Sequence, residues 1–346
     1  MIFHRRAKII KSGLYENAEG ISMIRFAKVD DIQNIMYFID KYWRKNHILS
    51  HDRKLFEFQH KWGEEVSFVI SEKDGNITGL LGYIPYNDKN RDVTLAIWKT
   101  TKTEETMQGI KMLTFLQENG DIRTIAAPGI NPKTGSIYKF LGLNTGKMKQ
   151  WYRLRRMAEY KIAKVNDAAI PKDAGEGGLI KYEITSYDQA VDKFGIEGCL
   201  VRDKQLYKSL KFIKRRYFEH PTFTYMKYGL MYDDKKLFVV LRVQNCKNSA
   251  LLRVIDCIGD HELLKYFTPE IDRLLVKCDC EYADCYEIGV NDEVFKLSGW
   301  KSVADSGNIM PDYFAPFEQR NIDIYYMSEQ EVVALFKGDG DMDRPN

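Results

Sequence analysis

Three of the six histidines, His47, His51 and His60, fall within fourteen residues, together with Asp52 and Glu57. An imidazole titrates near neutrality, so a histidine in such company can act as a general base toward an amine nucleophile. His47, His51 and Asp52, gathered in the run NHILSHD at 46–52, are the candidates for that role. No HExxH or comparable ligand pair accompanies them, which argues against a metal. Cys278, Cys280 and Cys285 invite a zinc reading. Yet no second Cys or His pair has finger spacing, and Cys285 falls inside a predicted strand, 283–288, so no metal is expected. A further polar and aromatic group comprises His220, in EHP at 219–221, with Tyr225 and Tyr228 on the strand after it.

The third stretch with chemical content is IAAPGINPKTGSIYKFLGL, 125–143. A short apolar run, 122–127, reads as a buried strand halted by Pro128 and Gly129. Asn131 and Pro132 then open a helix in which Ile137, Tyr138 and Leu141 share one side. Gly142 stands where a left-handed C-cap is wanted. A new strand is expected near 147–154.

The rest of the chain supplies elements to position these residues. A strand at 24–27, an Asp30 N-cap and a helix through about Trp43 open the pattern, with Ile32, Ile35, Met36 and Ile39 as the apolar stripe. Strands follow at 66–71, 79–85 and 93–99, the first pair joined by a turn at Asp74 and Gly75. A helix at 110–118 precedes the 125–143 unit. Beyond it, 166–178 (NDAAIPKDAGEGG) is rich in Gly, Ala and Pro and reads as linker. The order then restarts: strand 179–184, helix 187–193, basic helix 204–217, strands 223–232, 236–244 and 250–258, helix 262–278, strand 283–288 and helix 291–297. The last ends on Ser298, Gly299 and Trp300, in the same Gly-stopped shape as 137–143.

At 346 residues the chain is long for one core, and two domains are the natural expectation. With 52 Lys and Arg against 49 Asp and Glu, the net charge of +3 gives no sign of a nucleic-acid partner. No apolar run is long enough to span a bilayer. His4, Arg5 and Arg6 are basic, but no signal-type apolar core follows them. Six cysteines in so long a chain suit reduced thiols in a cytoplasm. The expected division is an extension at 1–22, a first domain at 23–160, a linker at 161–178, a second domain at 179–327 and a polar tail at 328–346, frayed as such ends commonly are.

The order β-α-α-β-β-β-α-β-α-β over about 23–155 resembles the acyl-CoA-dependent N-acyltransferase (GNAT) superfamily. The resemblance implies an α/β fold, an α+β mixed sheet, present here as two tandem GNAT-like domains. In that family a splayed strand and the next helix's N-terminus hold acyl-CoA, orphan N–H groups and the helix dipole favouring the pyrophosphate. Carried onto this chain, the strand residues are Leu95, Ile97 and Trp98. The loop residues are Gln108, Gly109, Ile110 and Lys111, where Lys111 departs from the small residue usual there. Asn131, Tyr138 and the LGL at 141–143 follow the family's Asn, Tyr and Leu-Gly-Phe signature, with Leu143 in place of the Phe. The resemblance makes Tyr138 the acid for the departing thiolate and acetyl-CoA, or another acyl-CoA, the cosubstrate. The acidic loop at 256–260 suits pyrophosphate poorly, so the second domain is expected to shape the acceptor site.

PDYFAPF at 311–317, DGDMDRPN at 339–346 and the segment 46–59 are similar to double-GNAT proteins of surface-polysaccharide gene clusters. That similarity implies an N-acyltransferase acting on an amino sugar or nucleotide sugar as a small-molecule acceptor. Tyr83, His220, Tyr225 and Tyr228 are the expected acceptor-binding residues, with residues 80–85 as a wall and the basic helix 204–216 available to a nucleotide diphosphate. Two alternatives stand beside this: a Fem-like aminoacyl transferase, and a GNAT-shaped scaffold without catalysis. A monomer or homodimer is expected.

Overall fold

The structure, a computed structural model, describes residues 23–101, 107–202 and 205–345. The extension at 1–22, the start of the expected phosphate loop at Glu105 and Thr106, and Lys204 lie outside them. The first half contains β1 (Met23–Ala27), α1 (Ile32–Phe38, prolonged by a π turn), α2 (Ile48–His51), α3 (Arg53–His60), β2 (Lys61–Trp62), β3 (Glu65–Lys73), β4 (Asn76–Pro85) and β5 (Arg91–Thr100). It continues with α4 (Gln108–Asn119), β6 (Ile122–Ile130), α5 (Gly135–Phe140) and β7 (Asn144–Lys147). The second half contains β8 (Lys149–Leu154), β9 (Ile180–Ile184), α6 (Leu210–Ile213), β10 (Met226–Tyr232), β11 (Lys235–Cys246) and β12 (Ser249–Gly259). After these come α7 (Thr268–Lys277), β13 (Cys280–Ile288), α8 (Asp292–Leu297), β14 (Lys301–Ser302), β15 (Tyr325–Ser328) and β16 (Leu335–Phe336).

Local chemistry accounts for most of these boundaries. Asp74 and Gly75 both take positive φ, 52° and 75°, the mirror-image turn that matches the twist of a β hairpin. Gly142 has φ 80°, and the N–H groups of Leu143 and Gly142 return to the carbonyls of Tyr138 and Lys139, a Schellman stop. The same stop ends α8, where Gly299 has φ 71° and Trp300 and Gly299 donate to Phe295 and Lys296. Tyr138 and Phe295 therefore occupy equivalent positions. The expected Asp30 cap is corrected: Asp31 accepts from the Lys28 N–H at 2.7 Å and pairs with Arg25, also at 2.7 Å. Pro128 and Gly129 do not end their strand, since β6 runs on to Ile130.

Two mixed sheets carry the chain, ordered β1-β3-β4-β5-β6-β15-β7 and β14-β8-β13-β12-β11-β10-β9. In the first, β5 and β6 are parallel partners only from Arg91↔Ile122 to Thr94↔Ala126. Beyond Thr94 they part, and β5 carries a bulge there, Ala96 and Ile97 lying between the partners of Leu81 and Tyr83 where β4 has Gly82 alone. In the second, β12 and β13 pair only from Ala250↔Cys280 to Val254↔Cys285. Val93 and Leu95 pack beneath α4 with Met112, Leu113 and Leu116. Ile97 turns to the other face, against the α1–α3 layer with Leu49, Phe56 and Phe68.

The sheets exchange strands. β8 follows β7 after one residue but enters the second sheet between β14 and β13, whereas β15 returns to the first sheet between β6 and β7. The expected boundaries at 160 and 179 therefore cut across the pairing. The start of the expected linker is also packed: N–H groups of Lys161, Ile162 and Ala163 converge on the Glu281 carboxylate at 2.7 to 3.1 Å. Nor is the tail frayed. Its Asp339 and Asp343 are 0% and 1% exposed.

Because the first sheet takes an interior strand, β15, from the second half, and β8 runs on from β7 of the first sheet into the second, the two sheets are tied together. Urea unfolding followed by far-UV circular dichroism and by tryptophan fluorescence should give one coincident transition. Two separated transitions would show independently folding halves.

Candidate active site

The divergence of β5 from β6 opens a V in the first sheet, and on its α4–α5 side three expected residues come together. The Trp98 indole lies 5.5 Å, ring to ring, from Tyr138. It also covers the first turn of α4, where a Cβ added to Gly109 would stand 3.0 Å from Trp98 Nε1. Gly109 thus allows the indole to lie against the helix start. Tyr138 is 3% exposed, and its hydroxyl has no hydrogen-bonding partner among the described residues. Burial pushes the phenol well above its usual pKa, so it remains a proton donor at neutral pH. Ile110 is half-buried and Lys111 exposed on the same helix start.

Gln108 is turned the other way. Its amide donates to Ser71 Oγ at 2.7 Å and Thr78 Oγ1 at 2.8 Å, so the side chain serves the sheet. Asn131 caps the turn before α5, accepting from the Lys133 N–H at 3.0 Å. Leu95 and Ile97 are buried on opposite faces of the sheet, as given above. Beyond Thr94 the β5 edge facing β6 has no ladder partner among the described residues, which leaves its backbone groups open to the V.

On the opposite face, α2, α3, the 215–225 region and the C-terminal segment surround the V. His47 caps α2: its Nδ1 accepts from the Leu49 N–H at 3.3 Å, so its proton sits on Nε2, which is buried without a partner. Burial, with help from Arg344, lowers the His47 pKa to about 4. His60 is wholly buried between Phe56 and Phe68 and meets Ser67 Oγ at 2.9 Å. Its pKa falls to about 4 as burial outweighs the opposing Asp341 charge. His220 accepts at Nδ1 from Thr222 and Phe223, at 3.1 and 3.0 Å, and its edge meets Phe58. Burial lowers it to about 3. The sequence brings His60 to notice without giving it a role, and it gives none to the Asp341 carboxylate that acts on it and on His47. The clustering of histidines at 47–60 pointed to the first, but nothing local pointed to the second.

The remaining expected residues divide. Tyr225 donates to Asp343 at 2.8 Å, beside His220. Asp52 is spent as the cap of α3, accepting from Leu55 at 2.9 Å, and His51 is exposed. Tyr83 does not line this face: it is buried under α4 with Leu95 and Met112. Tyr228 lies in the second half's own core against Phe267. The basic helix is likewise corrected. Described as α6 and a following π turn, 210–218, it uses its cations as clamps. Arg215 donates to the carbonyls of Glu57, Phe58 and Lys61 and stacks on Trp62, and Arg216 donates to the Asp343 carbonyl. These groups are not free for a diphosphate.

The V of the second sheet is filled from within. β16 pairs with the free end of β13 at Glu287↔Phe336 and Ile288↔Leu335, and the Gly338 N–H donates to the Ile255 carbonyl on β12 at 2.6 Å. Phe295, at the position of Tyr138, has no hydroxyl and stacks on Trp151 at 4.9 Å.

No family model matches the sequence, and no curated protein matches it. Among solved structures, the chain is similar to a GCN5-related N-acetyltransferase from Anabaena variabilis, with TM-score 0.56 and 13% identity over 89% of this chain and 72% of that one. It is also similar to a conserved protein of unknown function, a probable N-acyltransferase, from Enterococcus faecalis, with TM-score 0.52 and 7% identity over the same shares. At such identity the likeness establishes the fold, a mixed α/β chain of two GNAT-like domains. Among the described residues no helix is long and apolar enough to cross a membrane.

The four lowered histidines, His47, His60, His220 and His261 of the second half, carry a pH dependence. Each unfolds from a neutral state into one with an ordinary pKa near 6.5, so the unfolded chain binds more protons and stability falls as pH drops from about 6.5 toward 4. Glu287, raised to about 7, works in the opposite sense below neutrality. His60→Gln should therefore flatten the fall by up to about 3 kcal/mol. The check is urea-derived stability of both proteins at pH 7 and pH 4.5; parallel losses would remove His60 as a cause.

Proposed function

We propose that this chain is an acyl-CoA-dependent N-acyltransferase whose cosubstrate binds in the V between β5 and β6. The observation that carries the reading is the contrast between the two clefts. The first keeps open strand edges and a phenol at Tyr138, whereas the second holds β16 and, at the equivalent position, a phenylalanine. The residues of the first fit the group: 95–98 offer backbone edges, and the α4 start offers N–H groups at Gly109 and Ile110. Acyl-CoA, when bound, supplies the acyl group as a thioester.

The protein's own groups do the remainder. Backbone N–H groups at 95–98 polarise the carbonyl. Tyr138 holds a proton at its hydroxyl for the departing sulfur. The acceptor enters from the α2–α3 face, where His47 and His60 stay neutral, and attacks as the free amine. Its N–C bond forms as the C–S bond breaks, sulfur takes the Tyr138 proton, and the surplus proton on nitrogen returns through solvent to Tyr138. Much of the rate comes from positioning. The acceptor is an amino sugar or nucleotide sugar of surface-polysaccharide biosynthesis, a reading supported by the segments 46–59 and 339–345 meeting on that face. The free thiols of all six cysteines agree with a reducing cytoplasm.

The scaffold reading has one observation in its favour: Trp98 lies across Gly109, where the cosubstrate would pass, and Gln108 is turned inward. Calorimetry decides between the two. Acetyl-CoA should bind with one equivalent per chain; no binding by acetyl-CoA or longer acyl-CoAs supports the scaffold, and two equivalents would contradict a closed second cleft. Tyr138→Phe should lower kcat about a hundredfold with binding kept. Unchanged turnover would remove Tyr138 from the acid role.

A further inference from the structure

The C-terminal segment crosses the V on its α2–α3 side. Gly340, with φ +64°, sits so close to the parting strands that an added Cβ would be 3.3 Å from Pro128 and 3.7 Å from Thr94 Oγ1. Gly129 likewise faces Met342, at 3.4 Å. On either side of this crossing the chain is fastened. Asp339 accepts from Tyr86 at 2.8 Å and from Lys208 at 2.9 Å, and Asp343 accepts from Tyr225 at 2.8 Å and Arg242 at 2.6 Å.

Asp341, between them, is used differently. Its Oδ2 takes Arg344 at 2.8 Å, and its Oδ1 has no partner among the described residues. Its side chain is 15% exposed, so water and ligand reach it. The charged and titratable groups acting there are Arg344, His47 and His60. His47 is 4% exposed, and its Nε2–H, fixed by the Leu49 bond at Nδ1, is a buried donor with no acceptor. A buried donor left unpaired is costly, and a ligand oxygen would satisfy it.

We propose that the acceptor subsite is built from both ends of the chain: Asp341 Oδ1 takes the acceptor's ammonium, and His47 Nε2–H donates to an oxygen next to it. A carboxylate beside a neutral N–H donor selects a primary amine with a neighbouring hydroxyl or carbonyl oxygen, as on an amino sugar. Arg344 fixes the carboxylate from its other oxygen and disfavours acceptors that carry a second cation there. The inference rests on the acyltransferase reading for its chemistry but not for its binding.

The test is a titration of the full-length protein with glucosamine and, separately, UDP-glucosamine, followed by the His47 Nε2–H resonance and by calorimetry. At least one should shift that resonance. Asp341→Asn should weaken its binding about tenfold or more, as expected for a lost charged hydrogen bond. Glucose, with the hydroxyls but no amine, should bind weakly and be indifferent to Asp341→Asn. Arg344→Gln, which removes a competing cation, should bind glucosamine as well as the parent or better; a purely structural ion pair would make both variants lose binding alike. A His47 signal unmoved by either amine, or equal affinity in Asp341→Asn, overturns the proposal. Acetyl-CoA binding measured on the same samples separates the two readings, since its loss would sink the transferase and leave the subsite standing.

Discussion

One buried ammonium holds the assembly together. Lys208 donates to both Asp256 oxygens, at 2.7 and 2.6 Å, and pairs with Asp339 at 2.9 Å, all three being almost wholly buried. Taking such charges out of water costs several kcal/mol each unless the remaining lone pairs are filled. They are filled here: Tyr217 and the Cys257 N–H donate to Asp256, and Tyr86 and the Phe336 N–H donate to Asp339. With two carboxylates on one ammonium, burial and the Asp256 charge raise the Asp339 pKa. The members come from β12, from the connector before α6, from the end of β4 and from the C-terminal segment. No two of these are close in sequence, so the cluster specifies how the halves meet more than it adds to stability.

The strand exchange and this cluster enforce each other. β15 can enter the first sheet only if the chain has come back across the interface. The chain then runs from β15 past the Lys208 cluster into the second sheet as β16. A second ionic group repeats the device nearer the second core. Arg253 bridges Asp284 and Asp312 at 2.7 Å, and Lys337 joins Asp312 at 2.7 Å. The segment 335–343 is thus held at Lys337, Asp339 and Asp343, which leaves the crossing at 340–342 with little freedom of position.

Local chemistry was legible in the sequence, and long-range pairing was not. The Asp74-Gly75 turn, the Gly142 and Gly299 stops and the strand and helix periods depend on neighbours a few residues apart, so composition and spacing report them. The placement of 149–154 depends on which sheet has a vacant slot, and nothing within those six residues distinguishes one from the other. The cations of 204–216 read as available to a diphosphate because their partners, Asp256, Asp343 and the carbonyls at 57–61, are distant in sequence. The aspartates of 339–343 read as a frayed end for the same reason. Tyr83 and Tyr228 turn into the cores instead, because a tyrosine on a strand looks alike in sequence whichever face it turns to.

The two halves show how one fold came to hold two different clefts. Parallel strands that part after four or five residues leave backbone donors and acceptors exposed within the sheet, and such groups must find partners. In the second half the partner is the chain itself: β16 and Gly338 take up the edges of β13 and β12, and Phe295 fills the place of a phenol with carbon. In the first half the same edges stay open and Tyr138 keeps its hydroxyl. The segment that closes one cleft is the segment that then crosses the mouth of the other. Filling the second V therefore does more than satisfy that sheet's edges, because it fixes the segment that carries Asp341 beside the first.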